Sequence, residues 1–122
     1  MGKIVMVIDD DEDVREVLRD FIEDIGYRPV VAANGQEGLD AIRRLDERPC
    51  VILLDLMMPV MDGWRFLEVV ACDADLASIP VVISTSAPDR APRGPRILAK
   101  PVDLEDFMAE LRHHCSGAPA GA

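Results

Sequence analysis

The stretch Val51-Ile52-Leu53-Leu54-Asp55 decides the fold, because a short apolar run ends there on a single carboxylate. The chain continues as Leu56-Met57-Met58-Pro59-Val60-Met61-Asp62-Gly63 and turns through Pro59 and Gly63. Such a run, bounded by turn residues, predicts a buried strand of a parallel sheet. Open α/β sheets place their chemistry at the carboxyl ends of the strands, so we expect Asp55 at that edge.

Polar side chains also follow the other predicted strands of the sheet. Asp9 and Asp10 follow the strand predicted at 3–8, and Thr85 follows the strand predicted at 80–84. Lys100, which precedes Pro101, follows the strand predicted at 97–99. Because the carboxyl ends of parallel strands meet at one edge, we expect these side chains to lie near Asp55. Taken singly, each is an ordinary cap, turn or surface residue, and only the combination indicates a site.

Segments with strand-like and helix-like patterns alternate along the chain, which predicts βα units around a parallel sheet. Helical spacing and a terminating Gly26 indicate a first helix with the apolar residues Val14, Val17, Leu18, Phe21, Ile22 and Ile25. Asn34 and Glu37 predict the capped start of a second helix. The other predicted elements are a strand at 28–32, a helix at 64–73 burying Phe66, Leu67, Val70 and Ala71, and a last helix from Asp103 burying Leu104, Phe107, Met108 and Leu111.

The segment between the fourth and fifth predicted strands is too rich in proline for an α-helix. Within residues 85–96 stand Pro88, Pro92, Gly94 and Pro95. A proline lacks the N–H that a helix interior needs, and its ring clashes with the preceding turn. We therefore predict that the helix of this crossover is missing or reduced to a Pro-rich loop.

Composition limits the classes of function. The 122 residues carry a net charge of −10, with 49% hydrophobic and 30% charged residues, as in a globular domain. A charge of this sign argues against nucleic acid or an anionic membrane as the main partner. The sequence has neither a signal-peptide pattern nor an apolar run long enough for a membrane span, so we expect a cytoplasmic protein. We expect one domain at residues 1–115 and a disordered tail of small residues at 116–122.

Cys50, Cys72 and Cys115 are far apart in the chain and lack the CxxC spacing of a metal site. We expect them to be reduced thiols without a part in the chemistry of the protein. A metal or redox role for these residues is the alternative.

Together these features resemble the receiver domain of two-component response regulators. Asp9-Asp10, Asp55, Thr85 and Lys100 carry the resemblance, which spans residues 3 to about 115. It implies a flavodoxin-like, doubly wound, five-stranded parallel sheet of order 2-1-3-4-5, in which the first and third strands are neighbours. It also implies a stand-alone signalling module that acts by phosphorylation-dependent partner binding or by phosphate relay, rather than an enzyme with a substrate of its own.

The resemblance assigns roles to the candidate site residues. These are a phosphoacceptor, Asp55; metal ligands, Asp9, Asp10, Asp55 and the backbone carbonyl of Met57; phosphoryl-binding and switch residues, Thr85 and Lys100; and a cis-peptide candidate, Pro101. Three carboxylates in contact repel one another, by about 4 kcal/mol for each pair at 4 Å and an effective dielectric of 20. Either one acid takes up a proton or a divalent cation neutralises the cluster, and oxygen ligands without nearby His or Cys favour Mg²⁺.

The resemblance also implies protein partners. The phosphoryl donor would be a histidine kinase or a histidine phosphotransfer domain that docks on the first helix, whereas the sequence does not identify the downstream protein. Arg90, Arg93 and Arg96 lie on the Pro-rich loop of an acidic domain. They are either solvated loop charges or a partner-facing loop. Ile97 stands where receivers often carry an aromatic switch residue, so we expect that part of the usual switch to be missing.

Two other functions compete with that of a phosphorylated receiver. A haloacid-dehalogenase-like phosphohydrolase would use Asp9 as its nucleophile with support from Thr85 and Lys100, although Asp13 stands where that motif has Thr or Val. A pseudo-receiver would bind partners without phosphorylation, which the altered crossover favours. The receiver and the phosphohydrolase name different nucleophiles, Asp55 and Asp9, so substitutions can separate them.

Overall fold

A computed structural model describes residues 2–115, and the predicted disordered tail at 116–122 lies outside them. The strands are β1 (Ile4–Ile8), β2 (Arg28–Ala32), β3 (Val51–Asp55), β4 (Val81–Thr85) and β5 (Arg96–Ala99). The α-helices are α1 (Glu12–Asp24), α2 (Gly35–Arg44), α3 (Gly63–Ala71) and α4 (Leu104–Cys115). Within residues 2–115, no helix has both the length and the apolar character needed to cross a membrane.

All five strands are parallel and stand in the order β2-β1-β3-β4-β5, which confirms the predicted doubly wound fold. From β1 the chain adds β2 on one side and then crosses to β3 on the other side. Doubly wound folds bind their ligands in the crevice at such a switch point. Ile8 is aligned with Leu54 in the ladder, so the residues that follow, Asp9 and Asp55, end their strands side by side.

Helices cover both faces of the sheet. Buried residues on one face pack with α1 and α4, namely Val5, Val7, Leu18, Ile22, Val51, Leu53, Phe107 and Leu111. Buried residues on the other face pack with α2 and α3, namely Met6, Ile8, Leu39, Ile42, Ile52, Leu54, Phe66 and Val70. Successive residues of β1 and β3 therefore serve opposite faces, which explains why both strands are continuously apolar. Burying each large side chain contributes about 1.5–3 kcal/mol, so the strands that carry the acids are firmly anchored.

The connection from β4 to β5 contains a 3₁₀ turn, Pro88–Arg90, in place of an α-helix. The prediction that this helix is reduced is thereby confirmed. Pro92 and Pro95 lack backbone donors, and Gly94 has a positive φ of 111°, which other residues rarely adopt. Beside this connection, Ile97 of β5 is only half-buried.

Two side chains that we predicted to be buried, Ala71 and Leu104, are exposed, so those predictions are wrong, and Val17 of the predicted apolar face of the first helix is exposed as well. Ala71 is exposed at the end of α3, while Val17 of α1 and Leu104 of α4 keep 57% and 39% of their surface in water. Helical spacing places a side chain on an apolar face, but burial also requires a neighbouring element that covers it. Val17 and Leu104 instead line a cavity between α1 and the start of α4.

The expectation of reduced cysteines is wrong for two of the three. Cys50 and Cys115 form a disulfide across 65 residues of sequence, with their Cα atoms 5.3 Å apart. Cys72 is free and exposed. Spacing could not reveal the pair, because Cys50 directly precedes β3, Cys115 ends α4, and only the fold brings the two together.

Candidate functional site

Three carboxylates meet at the carboxyl ends of β1 and β3. Asp9, Asp10 and Asp55 each offer an oxygen within 4.8 Å of the others. Asp9 and Asp55 are almost fully buried, with 2% and 4% of their surfaces exposed, whereas Asp10 is exposed. The Lys100 ammonium contacts both buried acids, at 3.0 Å from Asp9 Oδ2 and 3.2 Å from Asp55 Oδ2. The result is a buried acidic pocket, partly neutralised by one lysine, at the switch point of the sheet.

Backbone contacts after β1 fix the position of Asp9. Its amide donates to the Ala32 carbonyl at 3.0 Å, which continues the pairing with β2 by one residue. Its Oδ1 accepts from the Asp11 amide at 2.9 Å, and the Asp11 side chain in turn caps the first turn of α1. The Arg15 guanidinium donates to the Asp9 carbonyl at 2.8 Å. The start of α1 is therefore tied to the position of the buried acid.

The turn after β3 fixes the position of Asp55. Its Oδ1 accepts from the Met57 amide at 3.3 Å, and the Gly63 amide donates to the Leu56 carbonyl at 2.9 Å. A β-carbon at position 63 would lie 2.7 Å from the Asp55 carbonyl oxygen, so only glycine fits there. Between these contacts, Val60 has a positive φ of 66°, which is rare for a β-branched residue. The start of α3 is thus set directly against the end of β3.

The ends of β4 and β5 supply the hydroxyl and the lysine. Thr85 is buried at the end of β4, the strand next to β3, and its Oγ1 accepts from the Ala87 amide at 3.1 Å. The Lys100 amide donates to the Thr85 carbonyl at 2.9 Å, which continues the pairing of β4 and β5. The Lys100 side chain then reaches across the end of β4 to Asp55. The peptide bond between Lys100 and Pro101 is cis.

Burial and like charge make the ionised form of Asp55 costly. Burial, and then the charge of Asp9, raise the pKa of Asp55 from 3.8 to about 6, although Lys100 and the Met57 amide act in the opposite direction. Burial lowers the pKa of Lys100, but contacts with Asp9 and Asp55 outweigh it and raise that pKa overall. Lys100 is therefore charged, but its single positive charge does not balance the carboxylates around it. A divalent cation that prefers oxygen ligands fits this set of donors.

The predicted site residues fall into two groups in the structure. The first group lies at or beside the acidic pocket and comprises Asp9, Asp10, Asp55, Thr85, Lys100 and the backbone of Met57. The second group lies away from it, because Arg90 and Arg93 are exposed on the β4–β5 connection. Arg96 begins β5 at the opposite edge of the sheet, where it pairs with Glu110 at 3.0 Å.

Two features of this region were not predicted from the sequence. Arg15 contacts the backbone of Asp9, but a basic residue on an exposed helical turn is ordinary and gives no signal of its own. The other feature is a 370 Å³ cavity next to Lys100, lined by Asp13, Val14, Val17, Leu18, Pro101, Val102 and Leu104. The apolar spacing of the first helix reflects this surface in the sequence, but such spacing predicts a buried helix face and not a cavity open to solvent.

The fold and this pocket define a doubly wound α/β domain with a carboxylate–lysine site at its switch point. A family model described as "Response regulator receiver domain" matches residues 5–112. The chain therefore belongs to the response regulator receiver domain family, which confirms the resemblance seen in the sequence. Receiver domains are two-component signalling modules and not enzymes that turn over a substrate.

Relatives of known sequence and structure agree with this membership. The chain is 33% identical over 120 residues to response regulator Rre1 of Synechocystis sp., covering 89% of this chain and 50% of that protein. It is 30% identical over 125 residues to the polar-differentiation response regulator DivK of Brucella anthropi, covering 97% of this chain and 100% of that protein. It thus spans about half the length of relatives such as Rre1 and the full length of DivK.

A solved structure shows the same fold. The receiver domain of the sensor histidine kinase PA1611 from Pseudomonas aeruginosa superimposes with a TM-score of 0.84 at 22% identity. The match covers 97% of this chain and 100% of that domain, whose structure has a magnesium ion coordinated in the active site cleft.

Ionised Asp55 destabilises the folded domain, because burial and the charge of Asp9 raise its pKa. We therefore predict that Asp55→Asn stabilises the domain in the absence of divalent cations. Above pH 6 the folded protein must hold a charge that the unfolded chain carries at no cost, since the pKa of Asp55 is about 6 when folded and 3.8 otherwise. We expect the variant to raise the free energy of unfolding by about 2 kcal/mol at pH 8. Urea denaturation with a chelator present measures this difference.

The same measurement at lower pH provides a second check. The wild type should gain stability as the pH falls from above 6 towards 4, and the difference from Asp55→Asn should shrink over that range. Asp46→Asn, a substitution of an exposed carboxylate, should match the wild type throughout. If Asp55→Asn is no more stable than Asp46→Asn at pH 8, the pocket is not electrostatically strained.

Proposed function

We propose that this chain is a receiver that accepts a phosphoryl group on Asp55, with Mg²⁺, from a histidine kinase or a histidine phosphotransfer domain. The observation that carries the proposal is the buried Asp55 carboxylate at a strand end, 3.2 Å from the Lys100 ammonium and within 4.8 Å of Asp9 and Asp10. This arrangement offers a nucleophile, a fixed cation and oxygen ligands in one pocket.

The transfer step follows from these groups. A carboxylate oxygen of Asp55 attacks the phosphorus in line, and the bond from phosphorus to the donor imidazole nitrogen breaks, leaving its electron pair on the imidazole. Bound Mg²⁺ would neutralise charge on the phosphoryl oxygens, with Asp9, Asp10, Asp55 and the carbonyl of Met57 as its protein ligands. Lys100 would exchange its contact with Asp55 for one with a phosphoryl oxygen, a role that suits a compact ammonium group.

Thr85 is the proposed switch residue. Its hydroxyl oxygen accepts from the Ala87 amide, so its own proton remains available for a phosphoryl oxygen. Turning towards the phosphoryl group would release the Ala87 amide at the beginning of the β4–β5 connection. Because Ile97 replaces the aromatic side chain that many receivers use, the β4–β5 connection rather than a rotating ring would carry the change.

The cavity between α1 and α4 is the proposed docking site for the phosphoryl donor. It adjoins Lys100, and the exposed apolar side chains of Val17 and Leu104 contribute to its lining. Exposed apolar surface next to a reactive group is a common feature of protein–protein contacts. A donor bound there would present its histidine to the neighbouring pocket. We also propose a cytoplasmic location for the domain, as expected for a receiver that meets a histidine kinase.

Phosphorylation by acetyl phosphate tests the phosphoacceptor without a protein donor. We expect intact-protein mass spectrometry to show one added phosphoryl group on the wild type and on the control Asp46→Asn, whose side chain is exposed. Asp55→Asn should show no adduct, because it lacks the nucleophile, and chelation of Mg²⁺ should abolish the reaction. Asp9→Asn should react at least about tenfold more slowly through loss of a metal ligand.

The outcomes of this experiment separate the competing functions. Steady release of inorganic phosphate that is lost in Asp9→Asn and kept in Asp55→Asn would favour a haloacid-dehalogenase-like phosphohydrolase. The absence of an adduct on folded, Mg²⁺-binding protein would favour a pseudo-receiver that binds partners without phosphorylation. Either result would contradict the proposed function.

A charge in the cavity should block protein donors but leave small ones unaffected. We expect Val17→Glu to slow phosphoryl transfer from a phosphorylated histidine phosphotransfer domain by about tenfold, as for loss of an apolar interface contact. Labelling by acetyl phosphate should be unchanged. Val60→Glu is the matched control, because Val60 is 84% exposed and does not line the cavity. Equal transfer rates for the two variants would disprove docking at this surface.

The exposed loop arginines are the proposed contact for a downstream protein partner. Arg90 and Arg93 carry positive charge on the β4–β5 connection of an acidic domain, whereas Arg96 is engaged with Glu110. We expect Arg90→Ala/Arg93→Ala to weaken partner binding about tenfold and to reduce its dependence on salt. Calorimetric titration of the phosphorylated domain measures both effects. Arg96→Ala is the control. Identical binding by the wild type, the double variant and Arg96→Ala would refute this role.

A further inference from the structure

The Cys50–Cys115 disulfide lies at the edge of the sheet opposite the acidic pocket. Cys50 immediately precedes β3, whose other end is Asp55, and Cys115 is the last residue of α4. The bond thus connects the strand that carries the acid to the helix that follows Lys100. The length of β3, roughly 15 Å, separates the disulfide from Asp55, so its sulfur atoms take no direct part in chemistry at the pocket.

The two cysteines of the bond differ in access to solvent. Cys115 is completely buried in the core under α1 and α4, whereas Cys50 is half-buried at the start of β3. Cys50 is therefore the side on which a thiolate from solvent would attack, with the Cys115 sulfur as leaving group. Thiol–disulfide exchange requires access to one sulfur, and the partly exposed Cys50 is the cysteine of this pair through which it would occur.

The fold has other contacts that hold α4 in place. The α4 side chains Phe107 and Leu111 are buried against the sheet, which has a packed core on both faces. Near its end, Glu110 contacts Arg96 at 3.0 Å and His114 at 3.4 Å. Domains that require disulfides are generally too small to build such a core. Breaking the bond should therefore loosen the last turn of α4 and leave the domain folded.

We propose that Cys50 and Cys115 are a thiol–disulfide exchange site that controls the end of α4, with a low-molecular-weight thiol and its disulfide as co-reactants. In the reducing direction, a thiolate attacks the Cys50 sulfur, the protein S–S bond breaks, and the Cys115 sulfur leaves and takes up a proton. A second thiolate attacks the small-molecule sulfur of the mixed disulfide and releases Cys50, which is also protonated. Two thiols are thereby oxidised to one small disulfide, and two electrons pass to the protein. This site does not rest on phosphorylation of Asp55.

A redox titration of the full chain in glutathione buffers tests this site. Free thiols are alkylated after equilibration and counted by intact mass. All three cysteines should be alkylated in reduced glutathione. In oxidised glutathione neither Cys50 nor Cys115 should be alkylated, and a peptide linked through these two cysteines should be recovered. The exposed Cys72 should instead carry a mixed disulfide with glutathione, seen as added mass. The reduced protein should unfold about 10 °C lower, and its amide exchange should increase mainly in the last turn of α4.

Two variants and a second readout provide the controls. Cys72→Ser should still form the linked peptide in oxidised glutathione and should show one alkylation fewer than the wild type in reduced glutathione. Cys50→Ala should match the reduced wild type in melting temperature and amide exchange in both buffers. The reduced wild type gives the same comparison without any substitution, so a poorly folded variant would not decide the outcome. Labelling by acetyl phosphate should be equal in both redox states, and its failure in both would count against the proposed function alone.

Three results would overturn the exchange site. The first is the absence of a peptide linked through Cys50 and Cys115 in excess oxidised glutathione, with these cysteines recovered as free thiols or as separate mixed disulfides with glutathione. The second is a bond that remains closed in the folded protein in excess reduced glutathione. The third is equal amide exchange at the end of α4 in the reduced and oxidised proteins.

Discussion

The ammonium group of Lys100 is the contact on which the functional edge of this domain depends. It joins a residue after β5 to the acids at the ends of β1 and β3, at 3.0 Å from Asp9 and 3.2 Å from Asp55. Without it, two nearly buried carboxylates would face each other without a counter-charge, which proteins tolerate only by protonation or by binding a cation. The raised pKa of Asp55 indicates that one lysine compensates this charge only in part. The remaining deficit is the electrostatic basis of the proposed Mg²⁺ site.

The Pro-rich crossover gives this receiver an output side that differs from the usual plan of its family. A 3₁₀ turn stands where a helix would cover the edge of the sheet, and Ile97 beside it is half-buried. Thr85 is hydrogen-bonded to the beginning of this connection through the Ala87 amide. A change at the pocket and a change in the connection are therefore coupled by one short contact. The cavity between α1 and α4 is a separate surface, so the proposed phosphoryl donor and the proposed downstream partner would contact different residues.

Much of the fold and most of the pocket follow from local sequence. Apolar runs set the strands to within about a residue at each end, and Asn34 caps α2 as its spacing indicates. The acids and the lysine were predictable because parallel strands end at one edge. The features that could not be predicted depend on tertiary packing, which a local pattern does not contain. Examples are the exposure of Val17 and the pairing of Cys50 with a cysteine 65 residues away. Arg15 belongs to the same class, because its role depends on where the Asp9 carbonyl points.

The loops on the two sides of Asp55 are held very differently. After β3, the Gly63 amide bonds back to Leu56, and Gly63 itself presses against the strand end too closely for any side chain. After β4, the backbone bonds of the 3₁₀ turn Pro88–Arg90 join residues only three positions apart. The loop after β3 is therefore bonded back to the strand end, whereas the bonds of the 3₁₀ turn are local. The β4–β5 connection has fewer backbone bonds to its strand end than the loop after β3, so we expect a change at Asp55 to displace this connection first.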